Sequence, residues 1–166
     1  MARDPHAGLT ALLPRLFAFA RTMLGDSDGA RDLVQEAAAR ALAARRVPDD
    51  PPAYRAWMFR IIRNAALDEL RRIKQPRVED HAPVDLWRYE DVGIAKITVE
   101  QGLATLAPLH REIISLIDIA GFSYGEAAQL LEVPVGTIMS RIARARGALL
   151  AAIEASSVRP MKSRHG

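Results

Sequence analysis

The 166-residue sequence predicts an all-α protein made of two small helical domains that are joined by a flexible linker. Two observations support this fold class. Apolar residues recur at helical spacing through most of the chain, and no sustained segment alternates apolar and polar residues as a half-buried strand does. Between the two periodic parts, residues 75–95 contain Pro76, Pro83 and a cluster of acids but only weak periodicity, which is typical of a linker.

The first domain is predicted to contain three helices, at about Thr10–Leu24, Asp28–Arg46 and Tyr54–Lys74. Gly25 would end the first helix, and the side chain of Asp28 would cap the second. Val47–Ala53 holds three prolines, and because proline lacks a backbone donor we expect a loop there. The inward face of the second helix is predicted to consist of Leu33, Val34, Ala37, Ala38, Ala41 and Leu42.

The second domain is predicted to contain four helices, at about Ile97–Leu106, Leu109–Ala120, Ser123–Leu131 and Val135–Ala155. Gly121 would end the second of these. Ser123 and Glu126 form the Ser-x-x-Glu pattern of a capping box, which marks the start of a helix. The break at Glu132–Pro134 then separates two helices with small and aliphatic packing faces. This arrangement is typical of a helix-turn-helix.

These elements divide the chain into five segments. We expect an N-terminal tail over residues 1–8, the first domain over 9–74, an acidic linker over 75–95, the second domain over 96–155 and a basic tail over 156–166.

Several functional classes are excluded by composition. The absence of cysteine excludes a disulfide framework, a thiolate zinc site and a cysteine nucleophile. The four histidines are scattered, and no Ser/His/Asp arrangement or phosphate-binding glycine loop is present, so we expect no metal, no cofactor and no enzymatic activity. No apolar run reaches about 18 residues, and residues 1–8 lack the apolar core of a secretory signal. A cytoplasmic protein without membrane insertion is therefore expected.

Charge is distributed unevenly along the chain. Residues 40–77 hold ten basic and four acidic side chains, residues 78–136 hold three and ten, and residues 137–166 hold six and one. Clustered cations attract nucleic acid because neutralised phosphates release counterions. Basic stretches also occur on ordinary solvated helix faces, so charge alone leaves both interpretations open.

The last predicted helix carries a polar face that suits DNA. Thr137, Ser140, Arg141 and Arg144 recur at helical spacing, and residues 137–153 contain no acid. Hydroxyl and guanidinium groups bond base edges and phosphates in a major groove. A solvated face usually mixes charges of both signs, so the absence of acids favours DNA binding over a plain helical hairpin.

Three segments resemble one protein family. FSYGEAAQLLEVPVGTIMSRIARAR is similar to the fourth conserved region of bacterial extracytoplasmic-function (ECF) sigma factors. GDSDGARDLVQEAAARAL is similar to a helix of their second region, and AWMFRIIRNAALDELRR to the promoter-melting segment of that region. The resemblance covers residues 9–74 and 97–153. It implies a protein that binds core RNA polymerase, directs it to a class of promoters and helps to open the DNA.

The resemblance also implies roles for individual residues. Contact with the clamp helices of the polymerase β′ subunit is expected for Asp32, Leu33, Gln35 and Glu36. Contact with the minus-ten element is expected for Arg45, Arg46, Arg60, Arg63, Asn64, Arg71 and Arg72, with the loop of residues 44–53 capturing an unstacked base. Contact with the minus-thirty-five element is expected for Gly136, Thr137, Ser140, Arg141 and Arg144. Asp68 is expected to pair with Arg71 or Arg72 instead of touching DNA.

Three partners follow from the resemblance: core RNA polymerase, through its β′ clamp helices and β flap, promoter DNA, and an anti-sigma factor. Trp87 in the linker is a hypothetical anchor for the last of these. The main alternative is a sigma mimic that sequesters an anti-sigma factor without binding DNA. A third possibility, a helix-turn-helix repressor, would leave the first-domain segments unexplained and would need a dimer interface.

Overall fold

The computed structural model describes Asp4 and residues 6–74 and 94–157, except for the side chains of residues 94–98. Most of these residues are helical, and none of them forms a strand. In chain order the helices are α1 (Leu9–Leu24), α2 (Ser27–Ala43), α3 (Pro51–Lys74), α4 (Ile94–Thr105), α5 (Pro108–Ile114), a π-helical turn (Ser115–Ile119), α6 (Tyr124–Leu131) and α7 (Val135–Ser157). Trp87 and most of the predicted linker lie outside the described residues, so the expectations for them are not addressed.

Helices α1, α2 and α3 form the predicted first domain. Leu16 and Phe19 of α1 pack with Met58 and Phe59 of α3, and none of these four side chains is exposed. Gly25 ends α1 with a φ of 73°, in the left-handed region that glycine adopts most easily.

The start and end of α2 differ from the prediction. The cap is Asp26 and not Asp28, because the Asp26 carboxylate accepts the backbone N–H groups of Asp28 and Gly29 at 3.1 and 3.0 Å. The helix ends at Ala43 instead of Arg46. Leu42 is 60% exposed, so its placement on the inward face was wrong.

Helix α3 begins three residues earlier than predicted, at Pro51 instead of Tyr54. Prolines are tolerated in a first turn because the N–H groups there have no partner within the helix. Asp50 stabilises the start, since its carboxylate accepts the Ala53 N–H at 3.0 Å and its carbonyl accepts the Tyr54 N–H at 2.8 Å. The expected loop is therefore shorter, and it ends at Asp50.

The second domain contains the predicted helix-turn-helix. The capping box is present: Ser123 Oγ accepts the Glu126 N–H at 3.1 Å, and the Glu126 carboxylate accepts the Ser123 N–H at 2.8 Å. Glu132 ends α6 with a φ of 56°. The predicted inward face of α7 is confirmed, because Ile138 and Ile142 are 0% and 2% exposed.

The helix that starts at Pro108 changes from α to π geometry over Ser115–Ile119. In this turn the Ala120 N–H donates to the Ser115 carbonyl five residues earlier, at 2.8 Å. Gly121 ends the helix in the left-handed region, as predicted, with a φ of 76°.

The two domains also pack against each other, which the sequence did not predict. Helix α1 contacts α5 and the π turn, and α3 contacts α6. The rings of Phe59 and Phe122 meet edge to face at 4.9 Å between centroids, and Arg21 pairs with Glu100 at 3.4 Å. The buried side chains of both domains consequently form one continuous core.

Within the described residues, no helix is long and apolar enough to cross a membrane. The same part of the chain contains no group of three or more His, Asp or Glu side chains that could hold a metal ion.

Candidate nucleic-acid and polymerase interfaces

The first turns of α7 present the polar face that the sequence predicts. Gly136, Ser140 and Arg144 are exposed, whereas Thr137 and Arg141 are half-buried. A side chain placed at Gly136 would meet nothing within 4 Å, so a phosphate can approach the backbone there. The described residues provide no ion-pair partner for either arginine. The structure thus brings the five predicted minus-thirty-five residues together on one helix.

Two apolar residues on the same helix were not among the predicted contacts. Val135 is 45% and Met139 is 54% exposed, and the two lie one helical turn apart. Exposed apolar side chains on a helix in a major groove can contact the methyl group of thymine. Their exposure is evident only from the structure, because sequence periodicity does not distinguish them from core residues.

Arg146 holds α7 on the rest of its domain. Its guanidinium donates two hydrogen bonds to the Asp118 carboxylate, at 2.6 and 3.2 Å. These bonds raise the pKa of Arg146 above its ordinary value. Asp118 lies in the π turn, so this exposed pair links α7 to an earlier helix of its domain. Arg146 was not among the predicted residues, because its partner is 28 residues away in the sequence.

Three of the four residues predicted to contact polymerase lie on the surface of α2. Asp32, Gln35 and Glu36 are exposed, and Glu36 also forms an ion pair with Arg40 one turn later. Leu33 is 7% exposed and belongs to the core. The side chain of Leu33 therefore stabilises α2 and cannot itself form the partner surface.

The predicted minus-ten residues fall into two groups. In the first group, Arg45, Arg46, Asn64, Arg71 and Arg72 are exposed. Arg71 pairs with Asp68 at 3.1 Å, as predicted, and Arg72 pairs with Glu69. These exposed pairs on α3 are weak enough to be exchanged for phosphate contacts.

The second group, Arg60 and Arg63, lies against the second domain. Arg63 donates through Nε to Glu112, whose side chain is almost completely buried. Arg60 Nη2 donates to the Gln129 carbonyl at 3.4 Å. Both arginines were predicted to face DNA, but in this structure they contact α5 and α6.

Arg55 joins this group, although it was not among the predicted contacts. Its Nη2 donates to the Ala120 carbonyl at 2.9 Å, and its guanidinium lies 4.0 Å from the centroid of the Phe122 ring. Its Nη1 is 3.9 Å from the Glu126 carboxylate. We call the contacts of Arg55, Phe59, Arg60 and Arg63 with α5, α6 and the segment between them the domain interface.

A cavity of about 570 Å³ opens beside this interface. Its walls come from four places: the start of α1, the segment before α3, the first turn of α3, and α6. They include Asp49, Tyr54, Arg55 and Glu126. Burial raises the pKa of Tyr54, and a nearby carboxylate, Asp4, adds to this. The cavity adjoins the loop that was expected to capture an unstacked base.

The fold and the α7 face define a class: an all-helical protein of two domains, the second of which is a helix-turn-helix. The first domain matches the family model for sigma-70 region 2 over residues 9–75, and the second matches sigma-70 region 4 over residues 96–149. The chain therefore belongs to the sigma-70 family of RNA polymerase sigma factors, within its ECF branch.

Individual relatives agree with this assignment. The chain is 35% identical over 147 residues to the ECF RNA polymerase sigma factor EcfG of Rhodopseudomonas palustris, covering 86% of this chain and 81% of that protein. It is 35% identical over 136 residues to the ECF sigma factor SigC of Mycobacterium tuberculosis, covering 79% and 74% of the two chains. The solved structure of the sigma factor RpoE of Bartonella quintana, in complex with the anti-sigma factor NepR, is also similar. It is 30% identical, with a TM-score of 0.68, over 88% of this chain and 94% of that one.

Proposed function

We propose that this sigma factor binds core RNA polymerase and directs it to promoters, with α7 lying in the major groove of the minus-thirty-five element. The observation that carries the proposal is the exposed, acid-free face of α7. Gly136 leaves its backbone open, Ser140 presents a hydroxyl, and Arg144 presents a guanidinium that can bond guanine or phosphate.

The polymerase would be held mainly through α2. Asp32, Gln35 and Glu36 present two carboxylates and an amide to solvent on one side of this helix. Such a surface is complementary to a basic helical partner, as expected of the β′ clamp helices. The β flap is the expected partner of the second domain.

Single-stranded minus-ten DNA would run along α3 and the loop before it. Arg45, Arg46, Asn64, Arg71 and Arg72 are exposed and available for phosphates and bases. Arg60 and Arg63 would join them once the domain interface has opened.

Control by an anti-sigma factor is part of the proposal. Its support is the similarity to the Bartonella quintana sigma factor, which was crystallised with such a partner. A sigma mimic that only sequesters an anti-sigma factor would not need the acid-free face of α7. The protein is thus proposed to be a regulator of transcription and not an enzyme. We also place it in the cytoplasm.

The test is run-off transcription with purified core RNA polymerase on fragments of the source genome. We expect specific transcripts from the wild type and from Arg15→Ala, which removes an exposed arginine of α1, but few or none from Arg144→Ala. Polymerase binding without any transcript would mean that the fragments lack the promoter. Absence of both polymerase binding and transcripts would contradict the proposal and favour the sigma mimic.

A further inference from the structure

We infer that Val135, Met139 and Ala143 form an apolar strip on α7 that contacts the 5-methyl group of a thymine in the minus-thirty-five element. Met139, at the centre of the strip, is the specificity-determining residue. This inference rests on the proposed function and deepens it, because it names a base that this chain selects. Its basis is the arrangement of exposed side chains along one helix.

Two strips run along the exposed face of α7. Each strip has three exposed residues at four-residue spacing: Val135, Met139 and Ala143 in the apolar strip, and Gly136, Ser140 and Arg144 in the polar strip. Residues four positions apart follow one another at successive turns of a helix. Each polar residue directly follows an apolar one in the sequence, so the two strips are neighbours around the helix.

The apolar strip is separate from the core. The buried side of α7 is formed by Ile138, Ile142 and Ala145, which are at most 2% exposed. Scattered apolar residues are normal on a protein surface, but these three lie in line on one helix. Because apolar surface gains free energy when it leaves water, the strip is suited to contact a partner.

The charges around the strip indicate that this partner is DNA. Arg144 is exposed in the neighbouring strip, and residues 137–153 contain no acid. Such a face attracts the phosphates that border a groove. Inside the major groove, the 5-methyl group of thymine is the apolar group that a base presents. A face with an apolar strip beside an arginine is therefore complementary to a groove that contains a thymine.

The strip has the length of a short run of base pairs. Val135 and Ala143 are eight positions apart, which corresponds to about 12 Å at about 1.5 Å per residue. Base pairs are stacked about 3.4 Å apart, so the strip can follow roughly three or four of them. The unbranched side chain of Met139 is flexible, and it can adapt its position to a methyl group on the floor of the groove.

The contact would select thymine over cytosine. Cytosine presents an amino donor in the major groove, whereas thymine presents a carbonyl oxygen and the methyl group. Against the apolar strip, the amino group would lose water without gaining an acceptor, which is unfavourable. Because Arg144 suits guanine, we expect a T·A pair within about two base pairs of a G·C pair that Arg144 contacts.

The experiment measures the contribution of the methyl group directly. The probe is a minus-thirty-five duplex from a promoter found by the run-off assay. Each of its thymines is replaced in turn by deoxyuridine, which lacks the methyl group but keeps the same hydrogen-bonding groups. Replacement of one particular thymine should weaken binding of the full chain about fourfold, the effect of one buried methyl group. Fluorescence anisotropy gives each dissociation constant.

Two alanine variants test whether Met139 makes this contact. Met139→Ala should bind the thymine and the deoxyuridine duplex equally well, because the side chain that meets the methyl group is absent. Leu150→Ala is the matched control. Leu150 is also an exposed apolar residue of α7, at 57% against 54% for Met139, but it lies about three turns further along. The fourfold preference for thymine should persist in this variant.

The dependence on salt separates the methyl contact from phosphate contacts. A methyl contact releases no counterions, so Met139→Ala should leave the slope of log affinity against log salt concentration unchanged. Met139→Lys adds a cation at the same position, so it should make this slope steeper by up to about 0.9 while losing the preference for thymine. A merely structural role of Met139 would not produce this difference between the two variants.

The failures can be told apart. The inference is wrong if the minus-thirty-five duplex contains no thymine, if no deoxyuridine replacement weakens binding, or if the preference persists in Met139→Ala. Loss of transcripts by Met139→Ala with unchanged duplex binding would mean that the strip contacts polymerase, which also overturns the inference. If the wild type yields no transcript or binds no duplex, the proposed function fails, and the inference with it.

Discussion

Helices α3 and α7 both carry several arginines that were expected to contact DNA, but the surroundings of these arginines differ between the two helices. On α7, Arg144 is exposed and the surrounding face is free of acids. On α3, Arg63 donates to the buried Glu112 of the second domain, whereas Arg60 is exposed and makes one contact of 3.4 Å with the Gln129 carbonyl. The comparison teaches that the availability of a basic side chain depends on where the acceptors of the rest of the chain lie, and not on its own helix.

The acids of the second domain explain the difference. Glu112 and Glu126 point toward α3, where they meet Arg63 and Arg55, and Asp118 holds Arg146 at the side of α7. None of these carboxylates lies on the recognition face. The acidic middle of the sequence therefore pairs with Arg55 and Arg63 of α3 and with Arg146 of α7, but within the described part of the chain it leaves Arg141 and Arg144 of α7 unpaired.

The largest expected effect concerns stability. Arg63→Ala would leave the buried Glu112 carboxylate without its ion-pair partner, and such a loss typically destabilises a protein by about 3 kcal/mol. Arg144→Ala removes an exposed side chain and should change the free energy of unfolding by less than about 0.5 kcal/mol. Urea unfolding followed by circular dichroism measures both. Equal effects of the two substitutions would show that α3 and α7 do not differ in this way.

A second prediction concerns DNA. Arg144→Ala should weaken binding to minus-thirty-five duplex by about 1–3 kcal/mol, or roughly five- to 150-fold, which is the usual contribution of a specific arginine contact. Glu112→Gln should leave this affinity unchanged, because Ser140 and Arg144 are already exposed in this structure. Fluorescence anisotropy with a duplex from the run-off assay gives both values. Tighter duplex binding by Glu112→Gln would mean that the contact between the two domains also restricts α7.

Much of the fold could be predicted because its signals are local. The capping box at Ser123, the glycine ends of two helices and the buried face of α7 each depend on residues within a few positions of one another. The wrong predictions have a local reason too. Asp26 and Asp28 are both suitable caps, and Pro51 is compatible with either a loop or a first helical turn.

The domain interface could not be predicted because its contacts are not local. Arg63 and Glu112 are 49 positions apart, and Arg55 and Ala120 are 65 apart. No periodicity links such residues, and the charge pattern only shows that a basic and an acidic part exist. The sequence could therefore place the α7 residues together, because they lie on one helix, but it could not show which arginines of α3 contact the second domain.

A smaller effect on the free energy of unfolding is expected from Glu126, at the start of α6, which faces α3. The hydrogen bond from the Ser123 N–H lowers the pKa of Glu126 below its ordinary value of 4.5, and the nearby Arg55 guanidinium lowers it further. A lowered native pKa means that the ionised group stabilises the fold above pH 4.5, and that this contribution is lost as the pH falls through the native pKa. The free energy of unfolding of the wild type should thus exceed that of Glu126→Gln by about 0.3–1 kcal/mol at pH 7, the usual contribution of a negative charge near a helix N-terminus.

The measurement is urea unfolding of both proteins between pH 3 and pH 7. The difference between wild type and Glu126→Gln should shrink below pH 4.5. Asp68→Asn, which alters an exposed pair on α3, provides the control, since such pairs contribute little. A difference that is independent of pH would mean that the glutamate acts through packing and not through its charge.

The smallest effect on the free energy of unfolding should come from a substitution of Glu132, in the turn before α7. Glu132 adopts a φ of 56°, and this left-handed conformation costs a residue with a side chain about 1–2 kcal/mol. Glycine avoids that cost but loses more backbone entropy on folding, so Glu132→Gly should stabilise the protein by only about 0.5 kcal/mol. Glu132→Ala removes the same carboxylate but keeps a side chain, so it should give no such gain in urea unfolding. If alanine stabilised as much as glycine, the gain would come from removing the charge, and the backbone of this turn would not be strained.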